Sequence, residues 1–207
     1  MRIFKRSVLV LACMALAACD DNGSAAPADA SPTQRLYGQV AFAPCTLEGS
    51  QVAVTVEALC GKWSVAEDPD RPQGRQIDLN IAWLPPKDNQ LGSADPVFFL
   101  AGGPGQAATE VAGMLQGALA EVLKTRDVIL IDQRGTGGSN SLACVDGDGK
   151  PLEIDEAQAS DIDIDGLRRW ISQCHAGLEG RADTRFYTTG QAIDDLDAVR
   201  QALGDSY

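Results

Sequence analysis

The chain has 207 residues, 44% of them hydrophobic and 22% charged, with 17 Lys+Arg against 29 Asp+Glu for a net charge of −12. An apolar fraction of this size can bury a core, which excludes a disordered acidic tail, and the length suits one domain or part of a larger one. The acidic balance repels phosphate backbones and aromatics make up only 5%, so nucleic acid is not an expected partner.

Arg2, Lys5 and Arg6 form a positive start, and Val8 to Ala18 is an apolar run without charge. Eleven residues are too few to span a bilayer, which takes about 20, so residues 1–18 read as a signal peptide. The run ends in Leu16-Ala17-Ala18-Cys19, which resembles the bacterial lipobox. That resemblance implies cleavage before Cys19 and a diacylglycerol on its thiol, hence a membrane anchor; a secretory signal cut elsewhere is the alternative. Asp20 resembles the signal for retention at the inner membrane, so the expected location is the periplasmic side of the cell envelope. Residues 19–35, rich in Ala, Ser, Pro and Asp, read as a flexible tether.

Loss of residues 1–18 removes three positive charges and Cys13, leaving 14 Lys+Arg against 29 Asp+Glu, a net of −15. With Cys19 lipidated, Cys45, Cys60, Cys144 and Cys174 remain, an even number that suggests two disulfides in an oxidising compartment. Four cysteines admit three connectivities. Cys45–Cys60 with Cys144–Cys174 is favoured because each closes a modest loop between neighbouring elements; buried free thiols are the alternative. Zinc is disfavoured, since there is no Cys-x-x-Cys pair and the one histidine is His175.

Residues 36–42 and 51–57 read as strands, and Cys60 to Arg75 as turn-rich, with Asp68-Pro69 and Arg71-Pro72. Ile77, Leu79, Ile81 and Trp83 alternate with Asp78, Asn80 and Ala82, which predicts a half-buried antiparallel strand ending at Pro85-Pro86. Val97 to Leu100 and Val128 to Ile131 are continuous apolar runs, expected of strands covered on both faces. Between them Thr109 is the expected cap of a helix carrying Val111, Leu115, Ala118 and Val122. Asp165 is expected to cap a helix with Leu167, Trp170, Ile171 and Cys174 on one face. Thr188 and Gln191 form a capping box for a last helix bearing Ile193, Leu196, Val199 and Leu203, closed by Gly204. Strand–helix–strand with buried strands predicts an α/β fold, a parallel βαβ unit preceded by antiparallel strands. The three tryptophans, Trp63, Trp83 and Trp170, sit at core positions.

Two loops carry the candidate chemistry. Ala101-Gly102-Gly103-Pro104-Gly105 follows the first buried strand, where open α/β sheets bind ligands. Glycines there let backbone N–H groups approach a reacting oxygen, Pro104 stiffens the turn, and such donors stabilise an oxyanion; a tight turn without chemistry is the alternative. The second loop, Asp132-Gln133-Arg134-Gly135-Thr136-Gly137-Gly138-Ser139, follows the neighbouring strand. Its Asp-Gln-Arg-Gly run is expected to form a buried ion pair bracing the first loop, with direct substrate contact as the alternative.

Phe98 to Gly105 followed by Asp132 to Gly137 and Ser139 resembles the α/β-hydrolase serine peptidases of the proline iminopeptidase and tripeptidyl aminopeptidase type. Cys60-Gly61 through Glu67-Asp68 to Leu84-Pro85 is similar to the lead-in strands of secreted members, and Thr188 to Gly204 to the helix before the nucleophile strand. The resemblance spans nearly all of residues 36–207. It implies a peptide substrate, a Ser-Asp-His triad releasing amino-terminal residues, no metal or other cofactor, and an oxyanion hole lined by Gly102 and Gly103. Ala101 stands where iminopeptidases often carry His, which counts against narrow proline specificity. The Gly-x-Ser-x-Gly elbow of the family is absent. Gly204-Asp205-Ser206-Tyr207 supplies four-fifths of one without a preceding strand, so Ser206 is a weak nucleophile candidate, and His175 precedes it where the family's histidine follows. The expectation is an amino-terminal portion of such an enzyme, lacking the elbow and the triad, whose residues 19–207 neither hydrolyse p-nitroanilides nor react with a fluorophosphonate.

Other readings are weaker. Gly103 to Ala108 fits the dinucleotide fingerprint G-x-G-x-x-A, with Asp132 ending the next strand, but Pro104 and the antiparallel lead-in oppose it. Asp161, Asp163, Asp165 and Gly166 copy the start of a calcium loop whose twelfth position is Ser172 instead of Glu; acids at a helix start explain them better. A non-catalytic envelope lipoprotein that binds a peptide or partner is the remaining alternative.

Overall fold

The computed structural model describes residues 34–49, 54–87, 95–103, 105–152 and 164–204, all within one unit, Pro32–Tyr207. Among these residues six strands form one mixed sheet in the order β1-β2-β3-β4-β6-β5. The first four, β1 (Arg35–Tyr37), β2 (Val40–Glu48), β3 (Thr55–Ala66) and β4 (Gln76–Leu84), make an antiparallel meander. β6 (Val128–Ile131) runs antiparallel to β4 and parallel to β5 (Val97–Phe99), so β5, the intervening helix and β6 form the single βαβ unit among the described residues.

The continuous apolar run of β6 follows from its place between β4 and β5, with cores on both faces. Val128 and Leu130 face a cluster with Leu84, Val111, Ala112 and Leu115, whereas Ile129 and Ile131 face one with Phe42, Ile81, Trp83 and Val199. Helix α1 (Ala112–Ala118) covers the first face and α3 (Thr189–Ala202) the second. β4 is also buried on both faces at its C-terminal half, because Ala82 and Leu84 point into the α1 side. Among the described residues β5 is an edge strand, and its residues are half-buried.

Several boundaries differ from the sequence expectation. The strand placed at 36–42 is broken by a two-residue turn at Gly38-Gln39, with Gly38 at φ +57°. The segment from Cys60 is strand as far as Ala66, and only Glu67 to Arg75 is turn; Leu59, Trp63 and Val65 alternate onto the α3-side core and hold it extended. β2 continues through Pro44, tolerated because β1 pairs with β2 only at Val40–Phe42 and leaves the rest of that edge free. Gln51 to Ala53 lie outside the described residues.

The helices differ too. Thr109 caps nothing: it sits inside a 3₁₀ turn, Thr109–Val111, and its amide and hydroxyl donate to Asp132. Val122 belongs to a second 3₁₀ turn, Val122–Lys124, and Ala118 is exposed. Asp165 lies within the first turn of α2 (Ile164–Leu178), paired with Arg168 at 3.4 Å. The face of α2 is only partly seated: Trp170 donates to the Leu152 carbonyl at 3.2 Å, while Leu167 and Ile171 stay exposed. Thr188 is the N-cap of α3, its hydroxyl meeting both the amide and the side chain of Gln191. Val199 and Leu203 of that helix region are buried, Ile193 is exposed, and Gly204 follows at φ +89°. Trp83 is buried; Trp63 and Trp170 are half-buried.

Disulfides Cys45–Cys60 and Cys144–Cys174 form, the favoured connectivity. The first joins β2 to β3 on the α1-side core, and the second fixes the segment after the second Gly-rich loop to α2. Among the described residues no helix is long and apolar enough to cross a membrane.

Candidate functional site

Parallel neighbours in a sheet present their C-terminal ends side by side, so the loops leaving β5 and β6 emerge together. Gly105 of the first and Gln133 to Thr136 of the second line one cleft of about 490 Å³, whose far wall is Leu142, Tyr187 and Thr188. Gly102, Gly103 and Gly105 are exposed. Neither the Gly102 nor the Gly103 amide meets an acceptor among the described residues. Gly103 (φ +129°) and Gly105 (φ +92°) occupy backbone conformations that side chains disfavour. A Cβ on Gly103 would stand 2.9 Å from the Gly105 nitrogen and 3.0 Å from that of Gln106, so a side chain there would crowd the turn. Pro104 lies outside the described residues.

The second loop is fixed by a fully buried carboxylate. Asp132 accepts from the Thr109 amide (2.9 Å) and hydroxyl, from Asn80 Nδ2 (2.9 Å) and from the Gly138 amide (3.1 Å). Its own carbonyl accepts from the Ser139 hydroxyl (2.7 Å), which in turn accepts from the Asn80 amide (2.8 Å). Asp132 thus ties the loop after β6, the turn before α1 and strand β4 at one point. An acid so engaged is not presented to a ribose, which counts against the dinucleotide reading. Between the two loops Gln133 Nε2 donates to the Ala101 carbonyl at 3.4 Å.

The ion pair formed by this loop differs from the expected one. Arg134 is buried and makes a two-pronged contact at 2.6 Å with Asp195 of α3, and its remaining donors reach the carbonyls of Phe186 (2.8 Å) and Glu67 (3.1 Å). It therefore fixes α3 and the turn after β3, while Asp132 and Gln133 hold the first loop. Burial pushes the Asp195 carboxyl up, against the opposing pull of Arg134. Sequence reasoning missed Asp195 because an acid on a helix normally faces solvent; the signal was its place one residue before Leu196 and four before Val199, toward the buried side. It also missed Glu67, buried after β3, which accepts from the Asp183 amide (2.9 Å) and the Tyr187 hydroxyl (3.0 Å) and pairs with Arg75 at 3.4 Å. The Tyr187 oxygen also accepts from Asn140, whose backbone sits at φ +52°. Burial, together with Glu67, pushes the Tyr187 phenol up to about 12.

No nucleophile–base pair is assembled among these residues. Ser139 is buried with its hydroxyl engaged on both sides, and no described serine is hydrogen-bonded to His175, which is exposed on α2. Cys19, Asp161, Asp163 and Ser206 lie outside the described residues. Among the described residues no group of three or more His, Cys, Asp or Glu is placed to hold a metal ion.

Fold and site together describe an α/β protein with two Gly-rich turns at neighbouring strand tips. No protein-family model matches the chain. The chain is similar to the serine protease Hip1 of Mycobacterium tuberculosis, 28% identical over 179 residues that make up 83% of this chain and 34% of that protein. It is also similar to the tripeptidyl aminopeptidase of Streptomyces lividans, 26% identical over 153 residues, 70% of this chain and 28% of that protein. The chain thus spans about a third of the length of these relatives. At 26–28% identity they support a serine peptidase at the general level.

Proposed function

We propose that the chain contributes the oxyanion-binding part of a serine peptidase of the aminopeptidase type, built on an α/β-hydrolase sheet. The observation that carries this reading is the pair of exposed Gly102 and Gly103 amides at the tip of β5, beside a cleft shared with the loop after β6. When a serine attacks a peptide carbonyl, charge develops on the oxygen, and amides already in place stabilise it without reorganising.

Gln133 gives that turn its direction. In a planar trans peptide the carbonyl and the following N–H point opposite ways. The Gln133 amide holds the Ala101 carbonyl toward the second loop, which directs the Gly102 N–H away from that loop. Asp132, by anchoring Thr109, fixes the far end of the same turn. The serine, acid and histidine of the triad are assigned to no described residue.

We further propose that the protein is exported and held at the envelope by a lipid on Cys19. The two disulfides support an oxidising compartment.

The full gene product carrying these residues is the protein to test. It is expected to release p-nitroaniline from aminoacyl- or tripeptidyl-p-nitroanilides, to react with a fluorophosphonate, and to lose turnover when the substrate amino terminus is acetylated. Equal turnover of acetylated substrates overturns the aminopeptidase type, and absence of both turnover and labelling overturns the peptidase reading. A Cys19→Ser variant that stays in the membrane fraction overturns the anchor.

A further inference from the structure

The cleft between the two turns is large and chemically neutral, and that combination selects what it can hold. Its volume of about 490 Å³ falls within the range of sites for small organic ligands, about 300–1,000 Å³. Among the described residues, Arg134 is the one charged residue on its lining. That guanidinium is already neutralised by Asp195 and spends further donors on two carbonyls, so it has little charge left to offer an incoming group. No carboxylate of the described residues lines the cleft. Tyr187 keeps its proton at any physiological pH, its phenol being pushed up to about 12.

What remains is a wall of uncharged character: Gln133, Thr136 and Ser141 carry polar groups, and Leu142, Ala143 and Ala192 are apolar. A charged side chain entering this space gives up hydration and finds no counter-charge among the described residues, which disfavours it. The net charge of −12 adds long-range repulsion against acidic peptides.

We infer that this cleft is the side-chain subsite for the residue whose carbonyl enters the Gly102-Gly103 turn, and that it accepts uncharged, aliphatic or hydroxyl-bearing side chains and rejects charged ones. Gly105 links the two features: it belongs to the turn and to the cleft lining at once. The cleft thus begins beside the place where a carbonyl would sit at the turn. This inference rests on the peptidase reading above.

The test is a charge swap on the rim. Ala143 is exposed and lines the cleft, so either sign of charge is tolerated there by the fold. In the full gene product, kcat/KM is compared for p-nitroanilides differing only at the residue before the scissile bond: Leu, Thr, Lys and Glu. The unaltered protein is expected to favour Leu and Thr over Lys and Glu by about tenfold or more, the equivalent of about 1.4 kcal/mol. Ala143→Asp is expected to raise the Lys/Leu ratio by about tenfold, and Ala143→Lys to raise the Glu/Leu ratio similarly. Thr189→Glu, on the opposite rim and at the exposed first position of α3, repeats the Asp result should the Ala143 variants fail to fold. Turnover with ratios that none of these variants move overturns the subsite and leaves the peptidase reading intact. A preference for Lys or Glu in the unaltered protein does the same. Absence of any turnover removes both.

Discussion

Individual side chains matter here where they close a turn. Gly137 stands at φ +46°, and a Cβ there would overlap the Asp132 carboxylate and lie 2.6 Å from the Ala107 Cβ. Gly137→Ala combines left-handed strain of about 1–2 kcal/mol with displacement of a buried, fully bonded acid, about 1–3 kcal/mol. The expected loss is about 3 kcal/mol, a fall in Tm of roughly 6–12 °C for a domain of this size, read by thermal denaturation. Gln133 offers a different readout, because its contact is to an exposed turn and not to the core. Gln133→Met removes the donor to the Ala101 carbonyl, and Gln133→Glu sets a carboxylate against it. In the full gene product kcat is expected to fall in the order Gln, Met, Glu, by at least about tenfold for Glu, with KM and Tm nearly unchanged. That loss is a fraction of the roughly 10²–10³ of a lost oxyanion donor. A fall in KM and kcat together, or an unchanged kcat, removes Gln133 from the orientation of the turn. Tyr187 supplies the pH signature. Its folded-state value, about 12 against 10.0 for the free phenol, means that the folded state keeps the proton longer. Its contribution to stability is therefore complete below pH 10 and lost as the pH rises through about 12. Absorbance titration is expected to show a late tyrosinate step that Tyr187→Phe abolishes.

At the level of elements, the attachment of α3 decides how the cleft is built. The Arg134–Asp195 pair joins the loop after β6 to that helix in a buried setting. Asp195→Ala leaves Arg134 buried without its counter-charge, for which about 3–5 kcal/mol is the expected cost in denaturant unfolding. Arg134→Met with Asp195→Leu is expected to recover part of that and not all, because the carbonyls of Glu67 and Phe186 also lose their donor. Full recovery assigns the whole cost to the ion pair; no recovery assigns it to the carbonyls. The elements themselves were legible in uneven measure. A continuous apolar run marked β6, because burial on both faces writes itself directly into the residue types; β5 was marked the same way although its residues are half-buried, and alternation marked β4 although its C-terminal half is buried on both faces. The stretch from Cys60 to Ala66 was hidden by Gly61, Lys62 and Ser64, although Leu59, Trp63 and Val65 kept the two-residue period throughout. The Thr109 cap failed for a longer-range reason: its hydroxyl is claimed by Asp132, 23 positions away, and no local pattern announces a distant carboxylate. Both Gly-rich turns were visible as motifs, but Asp195, Glu67 and Tyr187 became part of the site only through the packing of α3 and its approach segment against them.

For the molecule as a whole, the disulfides bear on where it can exist folded. Cys45–Cys60 closes a separation of 15 residues between β2 and β3, and Cys144–Cys174 one of 30 between the segment after the second Gly-rich loop and α2. By loop entropy a bridge of this size is worth about 3 kcal/mol, so the pair contributes roughly 6 kcal/mol against a usual total of about 5–15 kcal/mol. Reduction therefore consumes a large part of the stability of the fold, and the second bridge adds a local effect, because Ser141 to Ala143, immediately before Cys144, form the outer wall of the cleft. Urea unfolding of the oxidised and the dithiothreitol-reduced protein is expected to show a clear drop in midpoint on reduction. Cys144→Ala with Cys174→Ala is expected to lose about half of that difference and to broaden the preference of the full gene product toward charged residues, whereas Cys45→Ala with Cys60→Ala lowers the midpoint alone. Equal midpoints for oxidised and reduced protein would show that burial on the two faces of the sheet suffices by itself, and would remove the physical ground for tying this chain to an oxidising compartment.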